Sequence, residues 1–313
     1  MTVALSVRNL RKAYNGTLAV DDISFDVMRG EKFIFVGPNG AGKSTTIKII
    51  STLLEKNAGT VKYGDLTVGV DDDAIRKKIG VVFQHHVLDD EFTVRENLVC
   101  RGGFYDMNAS EVRKRADEVI ELLDMHNFAN QRYGKLSGGQ RRRADIGRAL
   151  MQRPEILFLD EPTTGLDPQT RLVVWDIING IQQDLGMTIF LTTHYMEEAE
   201  ALCTRICVMD EGRIIASGTQ QELVELVKER TQINIKLDNI NEDLLNGFKS
   251  INGVFDAKIF EDMITLYGEN GDTMLAEIIS KVSEQKSKIQ SIDVQKPNLE
   301  AVFLHLTGKA LRD

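Results

Sequence analysis

The sequence has 313 residues, of which 42% are hydrophobic and 27% are charged, and its formal net charge is −9. This length can hold one large domain and a small one, and the composition is ordinary for a soluble globular protein. The negative charge disfavours contact with nucleic-acid phosphates or anionic lipid headgroups unless a local basic patch is present.

The cysteine content and the absence of long apolar runs indicate that the protein belongs in the cytoplasm. Cys100, Cys203 and Cys207 form an odd set without Cys-x-x-Cys spacing, so neither a disulfide framework nor a zinc site is expected. The N-terminal residues lack a charged leader followed by an apolar core, and no apolar run approaches the ~18 residues of a membrane span. We therefore expect a cytoplasmic protein, for which any role at a membrane requires another polypeptide to cross it.

The first predicted elements are strands at residues 2–10 and about 18–27, where apolar and polar residues alternate around the turn residues Asn15-Gly16. Tyr14 lies in that turn, either as an exposed loop aromatic or as a surface on which a purine base stacks. A buried strand is predicted at Lys32–Val36, and a helix begins after the glycine-rich segment that follows it.

That segment, Gly37-Pro38-Asn39-Gly40-Ala41-Gly42-Lys43-Ser44-Thr45, matches the phosphate-binding pattern G-x-x-x-x-G-K-[ST]. A strand, a glycine turn and a helix N-terminus leave several backbone N–H groups pointing into one concavity, where the helix dipole favours an anion. Lys43 would place a positive charge on the β- and γ-phosphates, and the Ser44 hydroxyl would bind Mg²⁺. The pattern therefore predicts nucleotide binding rather than a chance glycine turn.

Strands and helices then alternate. A short strand ending at Phe83 places Gln84 at its carboxyl end, where α/β proteins hold their ligands. Apolar spacing predicts helices at Val94–Phe104, Ala109–Met125, Gly138–Met151 and from Pro168 to about Leu185, and strands at Glu155–Leu159 and Thr188–Thr193. This alternation predicts a mostly parallel sheet that is covered on both faces.

Acidic residues follow the strand at Glu155–Leu159. Two adjacent carboxylates, Asp160 and Glu161, repel each other unless cations or protons neutralise them. Next to a phosphate loop, Asp160 fits the role of holding Mg²⁺ through its water shell, and Glu161 fits that of a general base for the attacking water. The alternative is an ordinary acid pair at a strand-to-turn junction.

The segment Leu136-Ser137-Gly138-Gly139-Gln140 precedes three arginines, at 141–143, and an apolar helix. A serine and two glycines at a helix start form either a second group of backbone N–H donors for an anion or a plain helix cap. The arginines form either a solvated basic face or a specific contact.

Beyond Leu226 the pattern changes. It predicts strands at 231–238, 253–260, 263–268 and 287–294 and helices at 241–249 and 271–284, which is the βαββαβ order of ferredoxin-like domains. The predicted domains are residues 1–226, with a helical subdomain at about 90–150, and residues 227–313, which end in a short helix opened by Pro297.

The motifs together resemble those of ATP-binding cassette (ABC) proteins in their order and approximate spacing: Gly37–Thr45, Gln84, Leu136–Gln140, Ile156–Glu161, Gly165-Leu166-Asp167 and His194. The resemblance covers about residues 1–225, and Leu-Ser-Gly-Gly-Gln is highly specific to that family. It implies an α/β fold with a P-loop NTPase (RecA-like) core, an antiparallel β subdomain and a helical subdomain, and it implies ATP and Mg²⁺ as cofactors.

Residue roles follow from the resemblance. Tyr14 would stack on adenine, Gly37–Thr45 would wrap the phosphates, and Asp167 would lie at a dimer seam. Gln84 would contact Mg²⁺ and the attacking water and report on a membrane partner.

The catalytic centre implied by the same resemblance is acidic. Asp160 would order Mg²⁺, Glu161 would be the base, and His194 would contact the γ-phosphate. No position departs from the family pattern, so an inactive site is not indicated.

The resemblance also implies partners. Ser137, Gly138, Gly139 and Gln140 of one copy would cap the ATP held by Gly37–Thr45 of a second copy, in a head-to-tail homodimer. The chain would be the ATPase subunit of a transporter, peripheral on the inner face of the cell membrane, with a separately encoded integral permease docking near residues 85–125.

The C-terminal segment from Pro297 to Gly308 resembles the drug- and antibiotic-exporter branch, which is daunorubicin-resistance-like, so export of a hydrophobic compound is favoured. Export of sodium or of a lipid or polysaccharide is the alternative. A soluble ABC ATPase that acts on nucleic acid is disfavoured by the acidic balance and the single motif set, and no nucleic-acid partner is expected.

Overall fold

The computed structural model describes residues 2–227, 231–238, 242–260, 263–268, 271–285, 287–295 and 298–307. They form two compact units, of which the first runs to Gln220 and the second begins at Gln221. Pro297 and Gly308, which bound the exporter-like segment of the sequence, and residue 241, at the start of a predicted helix, lie outside the described residues.

The strands described in the first unit are β1 (Val3–Tyr14), β2 (Thr17–Met28), β3 (Lys32–Val36), β4 (Ala58–Tyr63), β5 (Leu66–Thr67), β6 (Ile79–Val82), β7 (Ile156–Asp160), β8 (Thr188–Thr193), β9 (Arg205–Asp210) and β10 (Arg213–Gly218). Its helices are α1 (Lys43–Ile50), α2 (Asp72–Arg76), α3 (Val94–Gly102), α4 (Ala109–Leu122), α5 (Gly138–Leu150), α6 (Pro168–Leu185), α7 (Met196–Leu202) and α8 (Gln220–Glu225), the last of which continues past the division.

A six-stranded sheet with the order β10-β9-β3-β8-β7-β6 forms the centre of the first unit. Its strands are parallel except for β10, which pairs antiparallel with β9. β7 and β8 are buried along their whole length, as is typical of strands covered on both faces. The predicted parallel sheet is therefore confirmed, and the carboxyl ends of β3, β6, β7 and β8 meet at one edge.

A second, antiparallel sheet has the order β2-β1-β4-β5. β1 and β2 pair from Val3 opposite Met28 to Tyr14 opposite Thr17, and the turn residues Asn15 and Gly16 have φ values of 48° and 88°. Positive φ at both positions is what a two-residue hairpin turn requires.

Aromatic packing joins the two sheets. The ring of Phe25 on β2 lies 5.4 Å from that of Phe33 and 4.9 Å from that of Phe35, both on β3. Phe190 on β8 completes the cluster at 5.9 Å from Phe25. Burial of these large rings therefore holds the β3 strand, which leads into the phosphate loop, between two layers.

The three helices α3, α4 and α5 begin at capping boxes. Thr93 with Glu96, Asn108 with Glu111 and Ser137 with Gln140 exchange side-chain and backbone hydrogen bonds at the starts of α3, α4 and α5. α4 ends three residues before its predicted end because Asp124 adopts a φ of 47°, which stops a right-handed helix.

The sequence analysis assigned no element between His194 and the second unit, and the structure places α7, β9 and β10 there. β9 is a short apolar strand that lies between β10 and β3 in the sheet. The chain passes from β9 to β10 through Glu211 and Gly212, which have positive φ values.

The second unit contains β11 (Thr231–Leu237), α9 (Glu242–Lys249), β12 (Val254–Phe260), β13 (Met263–Gly268), α10 (Gly271–Glu284), β14 (Ile289–Gln295) and α11 (Leu299–Thr307). Its antiparallel sheet has the order β12-β13-β11-β14 and buries Ile233, Leu266, Phe248 and Ile278 against one another. This is the βαββαβ arrangement predicted from the sequence.

Within the described ranges, no helix is both long enough and apolar enough to cross a bilayer.

Candidate functional site

A cavity of ≈ 580 Å³ lies at the carboxyl edge of the six-stranded sheet. Its lining comes from β2, from the phosphate loop (Gly37–Thr45) and from the residues that follow β6, β7 and β8. The lining residues are Ala19, Asn39, Gly40, Gly42, Lys43, Ser44, Thr45, Gln84, Glu161, Thr164 and His194.

The phosphate loop closes tightly because of its glycines. Gly40 and Gly42 have φ values of 85° and 97°, and a Cβ on Gly42 would lie 2.3 Å from the carbonyl oxygen of Ala19. Gly42 caps the N-terminus of α1 without a side-chain hydrogen bond. The first N–H groups of α1 are therefore not taken by a capping side chain, and the helix dipole favours an anion in front of them.

Lys43, the first residue of α1, is 4% exposed. Its Nζ donates to the carbonyl oxygens of Gly37, at 2.6 Å, and Pro38, at 2.9 Å, and lies 3.9 Å from Oε1 of Glu161. Burial lowers the pKa of Lys43, whereas the negative charges of Glu161 and Asp160 act in the opposite direction. The ammonium group is thus held at the loop by carbonyl oxygens that a phosphate can replace.

The oxygens of Ser44 and Asp160 lie next to each other. Ser44 Oγ donates to Oδ1 of Asp160 at 2.9 Å, and Thr192 Oγ1 donates to the same oxygen at 2.7 Å. Hydroxyl and carboxylate oxygens are the ligands that Mg²⁺ prefers. The residues present therefore fit a magnesium ion.

Glu161 is 7% exposed and lies just beyond β7, in a left-handed conformation with a φ of 47°. Its Oε2 accepts hydrogen bonds from Thr164 Oγ1, at 2.9 Å, and Gln84 Nε2, at 3.2 Å. Burial alone would raise the pKa of Glu161, but the contacts with His194 and Thr164 and the charge of Lys43 outweigh it and leave this pKa below its ordinary value. The carboxylate is therefore ionised at neutral pH, as a general base must be.

His194 follows β8 and faces Glu161. Its Nδ1 lies 3.3 Å from Oε2 of Glu161, and its ring lies 4.0 Å from that of Tyr195, over which the guanidinium of Arg171 sits at 4.1 Å. The histidine thus lies between a carboxylate and an aromatic ring that itself packs against an arginine.

Two segments predicted to act across a dimer do not line this cavity. Ser137 caps α5, where its Oγ accepts from the Gln140 N–H at 3.4 Å, and it is exposed. Asp167 caps α6 by accepting from the Thr170 N–H at 3.0 Å, and it is exposed as well. Each residue therefore caps its own helix in the single chain, and both are accessible to a second copy.

Tyr14 also lies outside the set of lining residues. It is the last residue of β1 and is 45% exposed, with Lys12 Nζ 5.5 Å from its ring centre. Stacking on adenine remains a prediction for this residue.

Three contributors to the site were not predicted from the sequence. Thr164 donates to Glu161, Thr192 donates to Asp160, and Ala19 approaches the phosphate loop through its carbonyl group. Thr164 could have been found from its place three residues after Glu161, because a hydroxyl at that spacing in a turn reaches back to the acid. The other two contacts connect parts of the chain that are far apart in sequence.

The arginines at 141–143 do not form a solvated face. Arg142 is 3% exposed and donates to backbone carbonyl oxygens that follow β6 and β7, whereas Arg141 donates to the carbonyl oxygens of Gly134 and Leu136. Arg143 donates to the carbonyl oxygen of Asp124 at 3.1 Å. All three arginines therefore make specific contacts.

Comparison with known proteins gives consistent results. A family model described as ABC transporter matches residues 20–164. The linearmycin resistance ATP-binding protein LnrL of Bacillus subtilis is 38% identical over 311 residues, which cover 99% of this chain and 100% of that protein. The Nod factor export ATP-binding protein I of Ralstonia nicotianae is 37% identical over 100% of this chain and 96% of its own length. The daunorubicin resistance ATP-binding protein DrrA3 of Streptomyces coeruleorubidus is 36% identical over 97% of this chain and 96% of its own length.

Among solved structures, a similar one is the dimeric ATP-binding cassette MJ0796 in a post-hydrolysis state, bound to ADP and Pi. The TM-score is 0.62 at 31% sequence identity, and the match covers 69% of this chain and 98% of that one.

Proposed function

The chain belongs to the ABC transporter ATPases, and on that premise we propose that it drives the export of a hydrophobic, drug-like or antibiotic-like compound across a membrane. Hydrolysis of ATP is its activity. The observation that carries the proposal is the place of Glu161, an ionised carboxylate held between Lys43, Gln84 and His194 in one cavity. Similarity to two resistance proteins, over 97% or more of this chain, supports export of such a compound.

The residues of the cavity divide the work of hydrolysis. The loop N–H groups and Lys43 bind and orient the phosphates of ATP, and Lys43 exchanges its two carbonyl acceptors for phosphate oxygens as it does so. Glu161 accepts the proton of the attacking water, while Gln84 and Thr164 hold its carboxylate in place. His194, already beside Glu161, contacts the γ-phosphate.

Ser44 and Asp160, with Gln84 near them, would hold Mg²⁺. When bound there, such an ion would supply positive charge that offsets the negative charge of the phosphate oxygens.

The site is completed by a second copy of the chain. The capped N-terminus of α5 is exposed and lies outside the cavity of its own chain, and the similar cassette MJ0796 forms a dimer. Ser137–Gln140 of one copy would close over ATP in the phosphate loop of the other, so that both sites form together in a two-fold arrangement.

An integral permease is the second partner, and the chain works at the inner face of the membrane. A cleft of ≈ 300 Å³ in the first unit is lined in part by Phe83, Arg101, Tyr105 and Arg148. Within the described residues, the buried Nε atoms of Arg101 and Arg148 have no hydrogen-bond partner. Burial lowers the pKa of Arg148, and the charge of Arg101 lowers it further. An acidic side chain from the permease would satisfy both guanidinium groups, which supports docking beside the 85–125 segment.

Export of another kind of compound is the alternative. The similarity to a Nod factor export protein supports export of a different compound by the same ATPase chemistry.

The experiment that tests the proposal compares cells that carry the wild-type chain, no chain, or Glu161→Gln. We expect the two defective strains to accumulate a fluorescent anthracycline equally and several-fold more than wild type, because hydrolysis is lost and the fold is kept. Equal accumulation in all three strains would reject drug export, and accumulation of a lipid or polysaccharide in the two defective strains would favour the alternative.

A further inference from the structure

One buried charge in the first unit has no role in the chemistry described so far. The guanidinium of Arg142, on α5, is 3% exposed and donates four hydrogen bonds to backbone carbonyl oxygens. The acceptors are Phe83 at 2.6 Å, Pro162 at 2.6 Å, Glu161 at 3.0 Å and Asp160 at 3.2 Å.

These carbonyl groups belong to two neighbouring strand ends. Phe83 directly precedes Gln84 after β6, and the other three residues are the end of β7 and the turn that follows it. Because a guanidinium is planar and its five N–H donors have fixed directions, it sets the distance between the segments that it joins. The side chains that these segments carry, Gln84 and Glu161, meet at 3.2 Å.

The backbone conformation of Glu161 depends on these hydrogen bonds. Its φ of 47° is in the left-handed region, which residues other than glycine seldom adopt. The carbonyl groups of three successive residues, 160–162, reach the one guanidinium. Such a conformation persists only where its surroundings hold it, and Arg142 supplies three of the hydrogen bonds that do so.

A second contact holds the other side of Gln84. His86 Nδ1 lies 2.6 Å from Oδ2 of Asp145, which is also on α5, and the buried hydroxyl of Tyr133 donates to Oδ1 of Asp145 at 3.1 Å. Helix α5 thus contacts the chain one residue before and two residues after Gln84, through Arg142 and Asp145.

We propose that Arg142 is a positioning residue for ATP hydrolysis, which fixes the backbone of Gln84 and Glu161 and ties it to the helix that begins at the signature segment (Leu136–Gln140). The inference rests on the proposed head-to-tail dimer for its second part. In that dimer the start of α5 contacts the ATP held by the partner, and Arg142, two residues after Gln140, contacts the catalytic backbone of its own site. One rigid helix then connects the two ATP sites, so that occupancy of one aligns the base in the other.

The test is Arg142→Lys in the full-length chain. Lysine keeps the charge but cannot bridge four carbonyl groups in two segments, so we expect kcat for ATP to fall about tenfold to a hundredfold. Affinity for a fluorescent ATP analogue should stay within about twofold, because the phosphate loop is untouched, and the Hill coefficient for ATP should fall towards one. Arg143→Lys is the matched control on the next residue and should keep both kcat and the Hill coefficient.

A second variant and a folding measurement keep the result interpretable. Arg142→Gln retains a planar donor but joins fewer carbonyl groups, and kcat is expressed per nucleotide-binding site in both variants, with the melting temperature measured alongside. Unchanged kcat in both variants would overturn the inference. A loss of kcat matched by an equal loss of analogue binding would also overturn it, because it would mean that Arg142 only stabilises the fold. Failure of the wild-type chain to hydrolyse ATP would instead reject the proposed function.

Discussion

At the residue scale, the chemistry proposed for the cavity depends on a buried carboxylate that stays charged. Glu161 accepts hydrogen bonds from Gln84 and Thr164. The side-chain nitrogen atoms of Lys43 and His194 also lie close to its carboxylate. Replacing Glu161 with glutamine removes the charge but keeps the size of the side chain and one oxygen acceptor. The effect of this substitution therefore reports on the charge alone.

We expect Glu161→Gln to bind ATP and to lower kcat by about a hundredfold or more, because the general base is lost. The ATP-bound dimer should then persist, since it opens only after hydrolysis. Gel filtration with ATP and Mg²⁺ would show a dimer for this variant and monomers for Lys43→Ala, which lacks the phosphate-binding charge. A purely monomeric profile for Glu161→Gln would count against this expectation.

At the element scale, the cavity is assembled by contacts between helix starts and strand ends. α6 begins at Pro168 after the Asp167 cap, and its first turn places Arg171 over Tyr195, which in turn packs on His194 at the end of β8. The segment that is predicted to lie at the dimer seam is therefore connected by one stack to the histidine that is proposed to contact the γ-phosphate.

This stack predicts a difference between two substitutions at Tyr195. Tyr195→Phe keeps the ring between Arg171 and His194 and should leave kcat within about twofold of wild type, whereas Tyr195→Ala frees the histidine and should lower kcat about tenfold. Steady-state ATPase assays, with the melting temperature as a measure of folding, check this. Equal activity of the two variants would show that the stack has no effect on the histidine.

Much of this arrangement could be predicted from the sequence, because local patterns determine it. The strands before Gly37 and Gln84, the acids at the end of β7 and the helix cap at Ser137 all come from short runs of residue types. Arg142 could not be separated from Arg141 and Arg143 by pattern, since its carbonyl partners are brought to it by the pairing of β6 with β7. The roles of Tyr195 and Thr192 could not be predicted for the same reason. Tyr195 contacts Arg171, 24 residues earlier in the sequence, and Thr192 contacts Asp160, 32 residues earlier.

At the scale of the whole molecule, the two halves of the proposed ATP site lie on different parts of the first unit. The cavity includes the phosphate loop, but the signature segment lies outside it. A chain built in this way should hydrolyse ATP only when two copies meet, and activity then depends on how often they do.

Complementation tests this directly. Lys43→Ala retains an intact signature segment, and Ser137→Arg retains an intact phosphate loop, so each variant alone should be nearly inactive. An equal mixture should recover at most about a quarter of wild-type activity, because half of the dimers are mixed and each mixed dimer has one complete site, and coupling between the two sites would lower this fraction further. The specific activity of the wild-type chain should also rise with protein concentration. No recovery on mixing, together with a flat concentration dependence, would indicate a self-contained site.

The hydrogen bonds of Lys43 and Ser137 have one more consequence. Lys43 Nζ rests on two loop carbonyl oxygens, and the Ser137 hydroxyl accepts from a backbone N–H at a long 3.4 Å. The Lys43 ammonium, which is predicted to bind phosphate, therefore already has two short, charge-assisted partners, whereas the Ser137 hydroxyl still has its own proton to donate. Nucleotide binding is then an exchange of partners for Lys43 and a gain of one for Ser137, so a small anion that satisfies only Lys43 has little advantage over the resting contacts. Selectivity for a whole triphosphate, in preference to free phosphate in the cell, follows from needing all of these contacts at once.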